Sequence, residues 1–70
     1  MSDEQAAVLI GEARELRHRG HSIRLALAAE KDRRQRFRYY EALRDIGDSL
    51  VPIERRLLDA GRAPKTDPTA

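Results

Sequence analysis

The sequence predicts an all-α protein: a small three-helix arrangement, with a long central helix and shorter N- and C-terminal helices. Such a chain is also suited to an oligomeric helical bundle or coiled coil. Three observations predict this. Residues 24–46 are dominated by Ala, Leu, Arg and Glu, the strongest helix formers. Glycines at 11, 20, 47 and 61 and prolines at 52, 64 and 68 divide the chain into helix-length pieces. Apolar residues recur at alternating steps of four and three, while the alternation of period two that marks a strand is absent.

Taken in order, the first helix is expected over about residues 3–19. Ser2 or Asp3 can accept from the free N–H groups of its first turn, and Asp3 and Glu4 suit the positive end of the helix dipole. Arg17, His18 and Arg19 suit the opposite end, with Gly20 as the residue that closes it. Gly11 is a weak point inside this helix, costing about 1 kcal/mol relative to Ala. The second helix is expected over 22–46, capped by Ser22 and broken by Gly47. Asp48 or Ser49 then caps a third over 49–60, with Pro52 in its first turn and Gly61 at its end. The alternative is one long helix bent at Pro52. Residues 61–70 lack apolar periodicity and are expected to be a disordered tail. Residues 1–60 form a single domain in this reading.

The three-four pattern runs through Leu25, Ala29, Asp32, Arg36, Tyr39, Leu43, Ile46, Leu50, Ile53 and Leu57. That is the spacing of a bundle seam, and only Asp32 and Arg36 break its apolar character. Being four apart, these two are placed to pair with each other on one helix. In the three-helix reading Leu9, Ala13 and Leu16 of the first helix cover Leu25 and Ala29. Ile23, Leu27, Phe37 and Tyr40 fall off the seam and make a second contact face, available to a partner.

Charge is segregated along the chain. Residues 14–38 carry nine basic and three acidic side chains, a net of +6, within a total of +2. On a helical wheel Arg24, Lys31, Arg34 and Arg38 cluster within about 80°, opposite the seam, with Arg33 beside them. A basic stripe on the back of an amphipathic helix suits nucleic-acid phosphates or an acidic protein surface, or is simply solvated.

Other chemistry has little to work with. There are no cysteines, hence no disulfide and no thiolate metal site. His18 and His21 straddle Gly20 and read as surface residues rather than zinc ligands. Ser22 and Ser49 read as caps, no Gly-rich phosphate loop is present, and carboxylates are scattered among arginines. No catalytic residue, cofactor, metal or small-molecule substrate is therefore expected, and the chain is not read as an enzyme. The acidic, polar start and the short apolar run from Ala6 to Ile10 fit neither a secretory signal nor a membrane span. A cytoplasmic protein is expected.

Ala42 to Leu50 resembles the first half of a helix-turn-helix unit, with the small Gly47 after Ile46 and an apolar Leu50 four residues on. With Leu57 where the second helix would place an apolar residue, the resemblance covers about a quarter of the chain, and it departs from the pattern in the turn, where Val51 and Pro52 stand. What it implies is DNA binding. The leading expectation is instead a protein–protein interaction or oligomerisation module, with itself or another protein as partner. A DNA- or RNA-binding regulator using Arg24, Lys31, Arg33, Arg34 and Arg38 is the alternative.

Overall fold

Ser2 opens the first helix. In the computed structural model, which describes residues 1–62, its hydroxyl accepts from the Gln5 N–H at 3.1 Å. The Gln5 side chain in turn accepts from the Ser2 N–H at 3.2 Å. This reciprocal capping box starts helix α1, Asp3–Ala29. A second helix, α2, spans Arg33–Asp59, and the two pack against each other as an antiparallel hairpin. The described residues contain no strand.

Two helices, not three, correct the expected architecture. The Gly20–His21 connection does not exist: both residues lie inside α1, and Ser22 is helical rather than a cap. Glycine here lowers helix propensity without ending the helix, because packing of the buried face outweighs a local cost of about 1 kcal/mol. Gly47, Asp48, Ser49 and Pro52 are likewise all inside α2, so the chain does not reverse there. The resemblance to a helix-turn-helix unit lapses with the turn it needed.

The reversal lies at Glu30–Lys31–Asp32, where the composition gives no Gly or Pro. Three side chains make it. Glu30 takes an extended conformation, and its side chain accepts from the Asp32 N–H at 3.0 Å. Asp32 caps α2, its carboxylate accepting from the Gln35 N–H at 3.2 Å. Arg36 reaches back across the turn, its Nη1 donating to the carbonyls of Leu27 and Glu30, both at 2.9 Å. These part-buried carbonyls belong to the C-terminal end of α1, which has no basic residue in its own last turn. Asp32 and Arg36 thus serve two different helix ends, and the pairing expected between them is not what holds them.

α2 ends as expected at Gly61, whose φ is +70°. The Arg62 N–H donates to Leu57 O at 2.7 Å and the Gly61 N–H to Leu58 O at 3.0 Å, the two bonds of a Schellman cap. The helix boundary at 60 is close to the observed Asp59, while the expected tail begins too early, since Gly61 and Arg62 form this cap. The rest of that tail lies outside the described residues.

The seam has a different first half from the one the sequence suggested. On α2, Arg36, Tyr39, Leu43, Ile46, Leu50, Ile53 and Leu57 are all buried or half-buried, as the three-four spacing predicts. On α1 the buried line is Ala6, Leu9, Ala13, Leu16, Gly20, Ile23 and Leu27. Leu25 and Ala29 are exposed, Leu25 at 61%. Extrapolating the α2 pattern backwards fails because the helix phase is reset at the turn.

Every seventh position of the α1 line is small until the last: Ala6 is 2% exposed, Ala13 is 1%, and Gly20 is buried. Small residues let two helix backbones approach, while larger ones on the partner fill the space. Gly20 faces Leu43 and Ile46, and the same antiparallel register carries Arg36 to the Leu27 carbonyl. Continued outward, it sets Ala13 opposite Leu50 and Ala6 opposite Leu57. Leu57 is the single large side chain with no exposure at all. An ion pair between Arg17 and Glu54 at 2.7 Å fixes one flank of the hairpin, and Arg62 pairs with Asp3 at 2.6 Å at its open end.

Candidate interaction surface

A hairpin of two helices buries one stripe on each. α2 carries a second stripe that this fold leaves uncovered. Phe37 is 63% exposed, Tyr40 53%, Val51 57% and Leu58 67%. Their spacing is again three and four: Phe37, Tyr40, Arg44, Gly47, Val51, Glu54, Leu58. At ~100° per residue, Tyr40 through Leu58 share an arc of about 60°, with Phe37 and Arg44 widening it to about 100°. The stripe lies beside the buried seam and runs about 32 Å along the helix.

Local interactions hold the upper end of this stripe. The Arg36 guanidinium that caps α1 also donates from Nη2 to the Tyr40 hydroxyl at 3.3 Å, with its carbon 5.9 Å from the ring centre. Turn formation and the position of Tyr40 are therefore coupled through one side chain. Shallow grooves flank the Phe37–Tyr40 ridge, one towards Lys31 and Arg33 and the other towards Glu41, Arg44 and Asp48. Midway along, Gly47 has open space where a side chain would stand. Glu54 Oε1 is held by Arg17.

Of the four residues expected to form a partner face, the structure keeps Phe37 and Tyr40 together on this exposed stripe. Ile23 and Leu27 are placed elsewhere: both are half-buried on the α1 seam, and Ile23 lines a groove with Ala42 and Ile46 on the hairpin's other side. Val51 and Leu58 were missed. Their signal was in the sequence, as the continuation of Phe37 in steps of seven, but an expected break at Gly47 and Pro52 hid it.

The basic residues also divide. Arg24 lies on α1, Lys31 in the turn, and Arg33, Arg34 and Arg38 on α2, all exposed. The single helical stripe they were expected to form does not exist, since it required one helix through residues 22–46. What the turn gathers instead is a basic tip. Residues 30–38 carry five cationic side chains against Glu30 and Asp32, whose carboxylates are engaged in the turn. Among the described residues Lys31, Arg33, Arg34 and Arg38 form no ion pair.

His18 and His21 now share one continuous helix and are three residues apart, both exposed. Among the described residues they join no cluster of metal-ligating side chains. No described helix is long and apolar enough to cross a membrane.

Fold and surface together define a class, an antiparallel helical hairpin with an exposed apolar stripe beside the buried seam of its second helix. No family model, curated protein or solved structure matches the chain.

Proposed function

We propose that this chain is a helical interaction module that acts by binding another protein chain through the exposed face of α2. One observation carries the reading. Four large apolar side chains, Phe37, Tyr40, Val51 and Leu58, stand exposed at helix-packing spacing on one face of α2. Scattered exposed apolar residues are ordinary, but an aligned row of them over more than five helical turns is what a partner helix packs against. Chemistry on small molecules has no support in the side chains present.

The test is site-specific photocrosslinking in the native host, with a photoreactive side chain at Phe37 or Val51 and a control at the exposed Arg14. Protein adducts from positions 37 and 51 but not from 14 are expected. Absence of any protein adduct from the stripe would overturn the reading.

Nucleic-acid binding is a second reading, and the basic tip favours it. Arg33 and Arg34 occupy the first turn of α2, where the helix dipole disfavours cations, and Asp32 is the only acid beside them. A local cost with no compensating intramolecular ion pair is a common mark of a functional surface. Arg24 stands apart from this group on α1. Phosphate contact by several arginines makes affinity fall steeply with salt. A gel-shift titration at two salt concentrations tests this, and no shift with duplex or single strand at low salt would eliminate it.

A further inference from the structure

We infer that the partner for the α2 stripe is a second copy of this chain, packed antiparallel, α2 against α2, about a two-fold axis near residue 49. The inference rests on the reading that this stripe is an interaction surface, and adds what covers it.

The argument is charge and size complementarity. Position the stripe residues as facing layers between two antiparallel α2 helices, each residue pairing with one whose number brings the sum to about 98. Tyr40 then meets Leu58 of the other copy, Arg44 meets Glu54, and Gly47 meets Val51. The two-fold repeats each pairing, giving six matched layers, while Phe37 lies beyond them, opposite Gly61 at the end of the other copy's helix. An aromatic ring packs on a leucine. A cation meets a carboxylate whose Oε1 already bonds Arg17, leaving Oε2 for Arg44. A valine fills the open space over a glycine.

Other arrangements lose this match. A parallel pair sets Arg44 on Arg44 and Glu54 on Glu54, and leaves Gly47 opposite Gly47. Sliding the antiparallel pair by one heptad one way sets Phe37 on Glu54, Arg44 on Gly47 and Leu58 on Arg33. Sliding it the other way sets Val51 on Glu54. Like charges and uncompensated charges at a buried layer are what select orientation and register between helices. The one like-charge approach in the favoured arrangement is Asp48 across the axis, and it lies at the rim, where salt screens it. The dimer is a four-helix layer in which both stripes of α2 are covered.

The chain has no cysteine, so engineered thiols report cleanly. Two single variants, Tyr40→Cys and Leu58→Cys, are mixed and oxidised, and light scattering measures the wild-type mass. A mass of twice 8.0 kDa is expected, with Tyr40→Cys joined to Leu58→Cys at least ~10-fold in excess over either homotypic pair. Val51→Glu, which changes an exposed residue of the single hairpin, is expected to keep helicity by circular dichroism and to weaken dimerisation by roughly 100-fold or more, since each dimer buries the new carboxylate twice. A wild-type mass of 8.0 kDa up to millimolar concentration, homotypic crosslinks in excess, or a dimer indifferent to Val51→Glu would each overturn the inference. A monomer whose positions 37 and 51 still crosslink another protein sinks the second copy while the interaction reading stands. A monomer with no adduct sinks both.

Discussion

Arg36 shows how a single side chain can set a topology. By spacing it belongs to an apolar seam, where a charge ought to be a defect. Its half-buried guanidinium instead satisfies two end carbonyls of α1 and holds the Tyr40 hydroxyl. Arg36→Met keeps the aliphatic bulk and removes all three bonds. It should cost about 1–3 kcal/mol in urea unfolding, because two part-buried carbonyls lose a charged donor. Gly20 is the opposite case, a residue whose removal should help. A Cβ there would stand 3.8 Å from Ile46 and 4.0 Å from Leu43, ordinary contact distances, on a backbone with no positive φ. Gly20→Ala is expected to stabilise the hairpin by up to about 1 kcal/mol through helix propensity, read as a raised Tm. Glu54→Gln should cost less than about 1 kcal/mol, an effect that fades in high salt, since both partners of its ion pair with Arg17 are 44% exposed.

At the scale of the element, α2 is a helix that packing maintains against its own sequence. Pro52 offers no N–H to the Asp48 carbonyl and stands in the helix interior, which carries a penalty of about 3 kcal/mol. Being exposed, it contributes no packing in return. Pro52→Ala should therefore stabilise α2, by up to about 3 kcal/mol in chemical denaturation, with no change in the described contacts. One helix start and one helix stop were legible. Ser2 with Gln5 and Asp32 with Gln35 show the same spacing of cap and amide, and both cap α-helices. The first start was read from the capping capacity of Ser2 or Asp3, and the last stop from Gly61. The second start was overlooked because Glu30, Lys31 and Arg33 are good helix formers, so propensity ran unbroken through the turn.

For the whole molecule, the shortage of buried side chains is the governing fact. Ala6, Ala13 and Leu57 are the fully buried hydrophobic residues among those described, and most seam residues are only half-covered. A two-helix hairpin of this size has little core from which to draw stability. If a second copy covers α2, stability depends on concentration by mass action, so Tm should rise with protein concentration for the wild type and stay level for Val51→Glu.

By itself the sequence determined the helical class, the α2 half of the seam, a cap at Ser2 or Asp3, the end at Gly61 and the exposure of Phe37 and Tyr40. These follow from spacing and capping chemistry, which act within a few residues. Only the tertiary structure decided where the chain turns, because the cap at Asp32 is local but the reversal is held by Arg36 reaching back from α2 to the carbonyls of Leu27 and Glu30. That one decision exchanged Leu25 for Gly20 and Ile23 in the seam, split the basic stripe, and joined Val51 and Leu58 to Phe37 on one face. Local propensity is summed over neighbours, whereas the choice among glycines, prolines and polar residues as the point of reversal depends on which arrangement brings two buried faces together.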